Sequence, residues 1–411
     1  MKSELDAIMH SRSLVALLVT GPAQHNPSMY YFTGGGHLTR AELIKKRNEA
    51  PVLFYQPMER EEAAKTGLAV RNLADYNLND LLKEAGGDYL QASILRYHHI
   101  LCDLGITSGR VAITGMTDAG AAYSLFTGLQ KLLPDLTFIG ETDNSAILQA
   151  MATKDNDEIE RIRRMAQVTT RVVGKTAEYL TSHTAEDGVL VKRDGQPLTI
   201  GDVKSRINLW LAEQGVENPE GTIFAIADEA GVPHSSGSPE RLIRLGQTIV
   251  YDIFPCEAGG GYYYDFTRTW CLGYAPDEVM ALYETVLDVY QQITSELKAG
   301  THCPVYQKRA CDMFEAKGHA TIQTDPATQE GYVHGLGHGV GLHVHERPWF
   351  GKNASEEDIL APGSVFTIEP GLYYPERGMG VRLENTLWVR PDGQMEVFAD
   401  YPMDLVLPVK G

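Results

Sequence analysis

Four carboxylates lie in stretches where a carboxylate is costly. Asp252 interrupts the run Ile249-Val-Tyr-Asp-Ile-Phe254, and Asp265 falls inside Tyr262-Tyr-Tyr-Asp-Phe-Thr-Arg-Thr-Trp270. Glu369 ends Val365-Phe-Thr-Ile-Glu, and Glu384 lies within Val381-Arg-Leu-Glu-Asn-Thr-Leu387. Apolar, β-branched and aromatic runs of this kind read as strands, where Asp and Glu are depleted and expensive to bury unless something pairs with them. One such residue facing water is ordinary. Four of them require a fold that gathers them around positive charge.

Histidine supplies the second signal. Four of the thirteen, His334, His338, His343 and His345, fall between residues 334 and 345, interleaved with Gly335, Gly337, Gly339 and Gly341. Glycines there let backbone and side chains crowd around a small object such as a metal ion or a substrate. Several familiar motifs are excluded. His345-Glu346 is followed by Arg347-Pro348, so the second histidine of HExxH is missing and the proline would break the helix that motif needs. The run Gly335-Leu-Gly-His-Gly-Val-Gly341 does not satisfy GxGxxG, and no P-loop, GxSxG or EF-hand loop occurs.

Composition narrows the partners. With 36 Lys+Arg against 54 Asp+Glu and a net charge of −18, the chain lacks the clustered basic residues that release counterions from a phosphate backbone. Nucleic acid and anionic membrane surfaces are therefore excluded as expected partners. Five cysteines (Cys102, Cys256, Cys271, Cys303, Cys311), an odd number without CxxC, give no disulfide framework or zinc ribbon. The apolar run at 14–19 is too short, and too acidic in front, to read as a signal peptide, no run of ~20 apolar residues occurs, and a cytoplasmic protein with reduced thiols is expected.

The 411 residues divide in two. Up to about residue 150, strand-like runs (14–19, 52–55, 111–114, 136–139) alternate with helix-like ones (58–65, 89–101, 118–133), the pattern of a small α/β domain. The polar run Lys154-Asp-Asn-Asp157 then opens a long amphipathic helix with apolar positions from Ile159 to Leu180. Further helices are predicted at 202–214, 276–298 and 304–317, and strands at 248–254, 262–272, 364–368, 380–390 and 395–398. Gly259-Gly-Gly261 reads as a hairpin turn. Helices and antiparallel hairpins in one segment indicate an α+β domain.

Four carboxylates and at least one imidazole make an oxygen-rich donor set suited to hard or borderline divalent ions, Mn2+ above all. Two such ions balance four carboxylate charges, the makeup of a hydrolytic centre that activates a bridging water and polarises a carbonyl. Period-two alternation puts Arg382 on the strand face of Glu384, where its guanidinium would fix a bridging carboxylate; a surface ion pair is the plainer alternative.

Taken together, Asp252…Asp265-Phe-Thr-Arg-Thr, His334-Gly-Leu-Gly-His338…His345-Glu, Ile368-Glu-Pro-Gly-Leu-Tyr373 and Val381-Arg-Leu-Glu384 resemble the pita-bread metallopeptidases. That family includes aminopeptidase P, prolidase (Xaa-Pro dipeptidase), methionine aminopeptidase and the metal-free creatinase. The resemblance implies an α+β architecture, with a C-terminal pita-bread catalytic domain (154–411) preceded by a smaller creatinase-like α/β domain (1–153). It implies two divalent ions, Mn2+ first and Co2+, Zn2+ or Fe2+ as alternatives. Asp252 and Asp265 would hold one ion, His338 and Glu369 the other, and Asp265 and Glu384 would bridge them.

By the same resemblance, Glu369 helps deprotonate the bridging water and His345 contacts the scissile carbonyl or its oxyanion. His234, in Val232-Pro-His-Ser235, closes over substrate, His334 lines the pocket, and Tyr373 and Arg382 complete the substrate-facing set. Three departures bear on substrate preference: a longer loop at 253–264, Asn385 where an acidic residue is common, and His343 where an aspartate is frequent. The implied function is a dinuclear exopeptidase hydrolysing X-Pro bonds, as Xaa-Pro dipeptidase or Xaa-Pro aminopeptidase, acting as a homodimer on proline-containing di- or oligopeptides. The alternatives are a same-fold metal-dependent hydrolase or lyase acting on a small non-peptide, and a pseudo-peptidase binding module. The complete ligand set weighs against the last.

Overall fold

The computed structural model describes residues 4–142 and 144–409. The chain divides into two compact units, Met1–Met151 with Gly259–Gly261, and Ala152–Ala258 with Tyr262–Gly411. The division thus falls at Met151/Ala152, against the expected 153/154.

In the first unit a six-stranded sheet runs in the order Ala69–Asn72, Val52–Tyr55, Ala41–Lys46, Leu14–Gly21, Gly109–Gly115, Leu136–Gly140. The strands at either end pair in parallel with their neighbours, whereas Ala41–Lys46 runs antiparallel to both of its own. Leu18, Ile44, Phe54, Val111 and Leu136 pack against Tyr97 and Ile100 from the helix Tyr89–Asp103 and Phe126 and Leu129 from the helix Ala119–Leu132. Each such buried side chain contributes about 1.5–3 kcal/mol. Two strands escape the sequence pattern. Ala41–Lys46 carries charges that break the apolar signal, yet Lys45 is buried and its Nζ lies 2.5 Å from Asp6 Oδ1; Ala69–Asn72 is a largely exposed edge.

The second unit opens with the helix Asn156–Thr181, whose start is fixed by a reciprocal capping box between Asp155 and Glu158. Two sheets follow. One runs Thr222–Ile226, Thr248–Ile253, Phe266–Leu272, Val406–Leu407, and the other Glu346–Trp349, His338–Gly339, Val365–Ile368, Asn385–Val389, Met395–Val397. Val286 and Ile293 of the helix Asp277–Glu296 and Phe314 of the helix Pro304–Ala316 join one core with Phe366, Ile368, Leu372, Val381 and Leu387. Among the described residues no helix is long and apolar enough to cross a membrane.

Two strands read as continuous from the sequence are not. The expected 262–272 strand starts at Phe266, with only an isolated bridge between Tyr263 and Cys256 before it. The expected 380–390 strand divides into Met379–Arg382, which pairs with Gly371–Tyr374, and Asn385–Val389, which pairs with Val365–Ile368. At the interruption Glu384 bridges to Thr267 of the other sheet, so the chain leaves one ladder to make this contact and then joins another.

Glu42, buried beside Thr20 and Tyr97, has its carboxyl pushed up to about 7 by desolvation, against 4.5 when unburied. Between those values the folded chain keeps a proton that the unfolded chain has released, so stability falls as pH rises from about 4.5 to 7. The full penalty is at most about 3 kcal/mol. Glu42→Gln should therefore stabilise the protein at pH 8 and do much less at pH 5, as measured by urea unfolding at both values.

Candidate metal centre

Strand register brings the carboxylates together. Asp252 sits opposite Thr267 in the pairing of Thr248–Ile253 with Phe266–Leu272, and Asp265, two residues before Thr267, shares its face. Thr267 also anchors Glu384: its carbonyl accepts from the Glu384 N–H at 3.1 Å, and its hydroxyl donates to Glu384 Oε2 at 2.7 Å. From the other sheet Glu369, just beyond Val365–Ile368, donates its backbone N–H to Leu336 O at 2.8 Å, which sets it beside His338. Only Asp252 is inside a strand; Asp265, Glu369 and Glu384 stand at strand ends, where the pleat gives way and side chains can converge.

A glycine next to His338 is required by close backbone approach. A Cβ on Gly339 would meet Arg347 O at 1.9 Å, so only glycine lets His338–Gly339 pair this closely with Glu346–Trp349. That segment is a strand, as the exclusion of a helical HExxH motif requires.

The electrostatics are those of a site built for cations. Atoms of Asp265, His338 and Glu384 lie within 4.8 Å of one another, and His338 Nε2 is 3.6 Å from Asp265 Oδ2 and 3.4 Å from Glu369 Oε1. His338 Nδ1 is 3.0 Å from Gly339 O, an arrangement that places the ring proton on Nδ1 and turns the Nε2 lone pair toward the carboxylates. Burial and the neighbouring His345 hold its pKa down to about 3, so the ring is neutral. Asp252 Oδ1, Asp265 Oδ1 and Glu384 Oε1 are buried without any hydrogen-bond partner. Desolvation, then mutual repulsion, pushes the Asp265 and Glu369 carboxyls well above the usual range and Glu384 up to about 8. Orphaned acceptors and an imidazole lone pair converging on one space fit divalent ions.

Arg382 is buried rather than on the surface, and it serves Asp252, not Glu384. Nη2 donates to Asp252 Oδ2 at 2.7 Å, and Nη1 to Pro233 O at 3.1 Å and Tyr373 Oη at 2.8 Å. The interruption of the strand at Leu383 removes the alternation on which the Glu384 expectation relied. Tyr373 is fully buried and absent from the cavity wall, which corrects its place in the substrate-facing set. Its hydroxyl lies 2.8 Å from His334 Nε2, while His334 Nδ1 is 2.7 Å from Gly335 O. Because Arg382 only donates, Tyr373 donates on to Nε2 and the His334 proton points to Gly335 O. Both ring nitrogens of His334 are thereby committed.

The five ligand candidates (Asp252, Asp265, His338, Glu369 and Glu384), with His234, His334, His345 and Arg382, line one cavity of about 750 Å³. The rings of His338 and His345 are 4.3 Å apart. Asn385 is buried between Arg268, which donates to its Oδ1 at 3.0 Å, and the Tyr290 hydroxyl at 2.6 Å from its Nδ2, a structural role. His343 donates its backbone N–H to Glu346 Oε2 at 3.3 Å.

Sequence reasoning missed Lys154, read as part of a polar run. Its ammonium donates to Glu346 Oε1, both side chains being almost wholly buried. Glu346 follows His345 directly, so the pair pins the turn that presents His345. Gly341 gives the pair room, since a Cβ there would lie 2.4 Å from Glu346 Oε1.

Orphaned carboxylates around a histidine at the base of a cavity define a metallohydrolase-type centre. Residues 160–391 match the model of "Metallopeptidase family M24", and the chain belongs to that family. It is 28% identical over 241 residues to the Xaa-Pro dipeptidase of Pyrococcus furiosus, covering 58% of this chain and 61% of that protein's length. Among solved structures, the X-Pro aminopeptidase of Thermotoga maritima superposes with a TM-score of 0.72 at 23% identity, covering 96% of this chain and 97% of that one. The prolidase of Pyrococcus furiosus gives 0.71 at 21% identity, covering 97% and 99%. These likenesses establish the pita-bread fold with a preceding N-terminal domain.

Removing one partner of a buried pair strands the other charge, at about 3–5 kcal/mol. Lys154→Met should lower stability by that amount in urea unfolding, and adding Glu346→Leu should recover most of it. A single variant as stable as the parent would contradict the pairing.

Proposed function

We propose that this chain is a dinuclear metal-dependent exopeptidase that hydrolyses X-Pro peptide bonds, as a dipeptidase or an aminopeptidase. The observation that carries the proposal is the convergence of Asp252, Asp265, His338, Glu369 and Glu384, three of them with orphaned buried oxygens, in one cavity with His234 and His345. The X-Pro specificity is supported by the relatives, which include an Xaa-Pro dipeptidase and an X-Pro aminopeptidase. Mn2+ is the proposed ion because the donor set is oxygen-rich with a single imidazole.

When bound, the ions supply Lewis acidity for the scissile carbonyl and the attacking water. Asp252, Asp265, His338, Glu369 and Glu384 would hold them. Arg382 orients Asp252 through the 2.7 Å bond and is a positioning residue. Glu369 accepts a proton from the attacking water and passes it to the leaving proline nitrogen. His345 donates an N–H to the carbonyl oxygen as charge builds there. His234 stands on the cavity wall in a loop fixed by the Arg382 bond to Pro233 O, where it closes over substrate. Proline's ring and tertiary amide exclude it from many peptidase clefts. A homodimer is carried over from the family resemblance, and five unpaired cysteines suit a reducing, cytoplasmic setting.

The test is an assay of metal-stripped protein against Xaa-Pro dipeptides and an Xaa-Pro-Yaa tripeptide, with and without Mn2+. Cleavage that depends on Mn2+ is expected for at least one substrate. No cleavage of either would overturn the proposal.

A further inference from the structure

The catalytic unit buries an ion pair whose purpose stability does not explain. The side chains of Lys154 and Glu346 are 2% and 1% exposed, and neither lines the cavity. A buried pair is poor support for a fold, because both charges leave water and apolar side chains of like volume hold the same space as well. What apolar side chains cannot supply is an acceptor. Glu346 uses its carboxylate twice: Oε1 takes the Lys154 ammonium, and Oε2 folds back to take the His343 N–H at 3.3 Å.

That second bond closes the turn that carries His345. The turn is fixed at its start by Tyr263, whose N–H donates to Gly341 O at 2.8 Å, and inside it the Gly341 N–H reaches His343 O at 3.0 Å. It is fixed at its end where Glu346 pairs with Gly339 in the sheet. The His345 ring is open to the cavity and 4.3 Å from the ring of His338, and among the described residues no hydrogen bond holds either of its nitrogens. The backbone of residues 343–346 therefore sets where the side chain points, and the Glu346 carboxylate ties the two ends of that segment together. Lys154 keeps the carboxylate in place. Its own backbone is anchored by an N–H bond to Gly363 O at 2.8 Å, and its ammonium neutralises a charge that would otherwise turn out to water.

We propose that Lys154 and Glu346 are positioning residues for catalysis, which fix the turn 343–346 so that the His345 N–H meets the oxyanion formed on the scissile carbonyl. The proposal rests on the X-Pro peptidase reading and deepens it, by assigning to the reaction a pair that touches neither substrate nor metal. The interaction that the pair aligns is made in the transition state, so misalignment lowers kcat and leaves KM. A displacement of about 1 Å at such a group costs up to about a hundredfold in rate.

The test uses the Mn2+-loaded enzyme with alanylproline and alanylprolylalanine, and reads kcat, KM, bound Mn2+ and urea stability together. Lys154→Met should lower kcat at least about tenfold on whichever peptide is cleaved, with KM changed by less than about twofold and bound Mn2+ unchanged. Lys154→Met combined with Glu346→Leu recovers stability, but its kcat should stay as low as that of the single variant, because the His343 N–H still lacks its acceptor. A merely structural pair would regain kcat along with stability. In a His345→Ala background, adding Lys154→Met should cost less than about twofold, since nothing is left to position. A Lys154→Met variant with wild-type kcat, recovery of kcat in the double variant, loss of bound Mn2+ from either, or the whole loss repeated in the His345→Ala background would overturn the proposal and leave the peptidase reading intact. No cleavage of either peptide by the wild type would overturn both.

Discussion

Four carboxylates in one cavity, three of them buried and Glu369 partly so, repel one another, and the catalytic unit is organised around holding them there. Among the described residues Arg382 is the single cation in direct contact with the set, and it reaches only Asp252. Desolvation and repulsion raise Asp265, Glu369 and Glu384, and three carboxylate oxygens are left without hydrogen bonds. An arrangement so costly in the ion-free protein is the counterpart of strong cation binding, because each orphaned oxygen is a ligand held ready.

The scaffold meets that cost by stiffness. Thr267 joins Asp252, through strand register, to Glu384, through two hydrogen bonds, so residues far apart in sequence share one backbone point. Arg268 next to it is buried with no carboxylate, and donates to Glu384 O at 2.8 Å and to Asn385 Oδ1. The pair Lys154–Glu346 does the same for the turn before Glu346. The outer ring of contacts therefore fixes backbone, and the carboxylates inherit their positions from it.

The sequence made the site legible because burying a carboxylate in an apolar run is expensive wherever it occurs, and this signal is local. The helix at Asn156–Thr181 was equally plain from its periodicity, although its capping box, Asp155 with Glu158, is the sharper mark of where it starts. What stayed hidden depends on distant partners. Lys154 looks like a solvated linker until Glu346 is beside it, and Ala41–Lys46 looks too charged for a central strand until Asp6 meets Lys45. The division of 380–390 into two strands follows from a bridge to Thr267 that local alternation does not encode. Tyr373 is near Glu369 in sequence, yet its strand turns it behind the wall, toward His334 and Arg382.

The central claim is that the carboxylate cluster is a two-ion site. Anomalous diffraction at the manganese edge from crystals equilibrated with Mn2+ tests it most directly. The account predicts two peaks in the cavity, one against Asp252 and Asp265 and one against His338 and Glu369, with Asp265 and Glu384 touching both. A single peak, or none within reach of His338 Nε2, would contradict it.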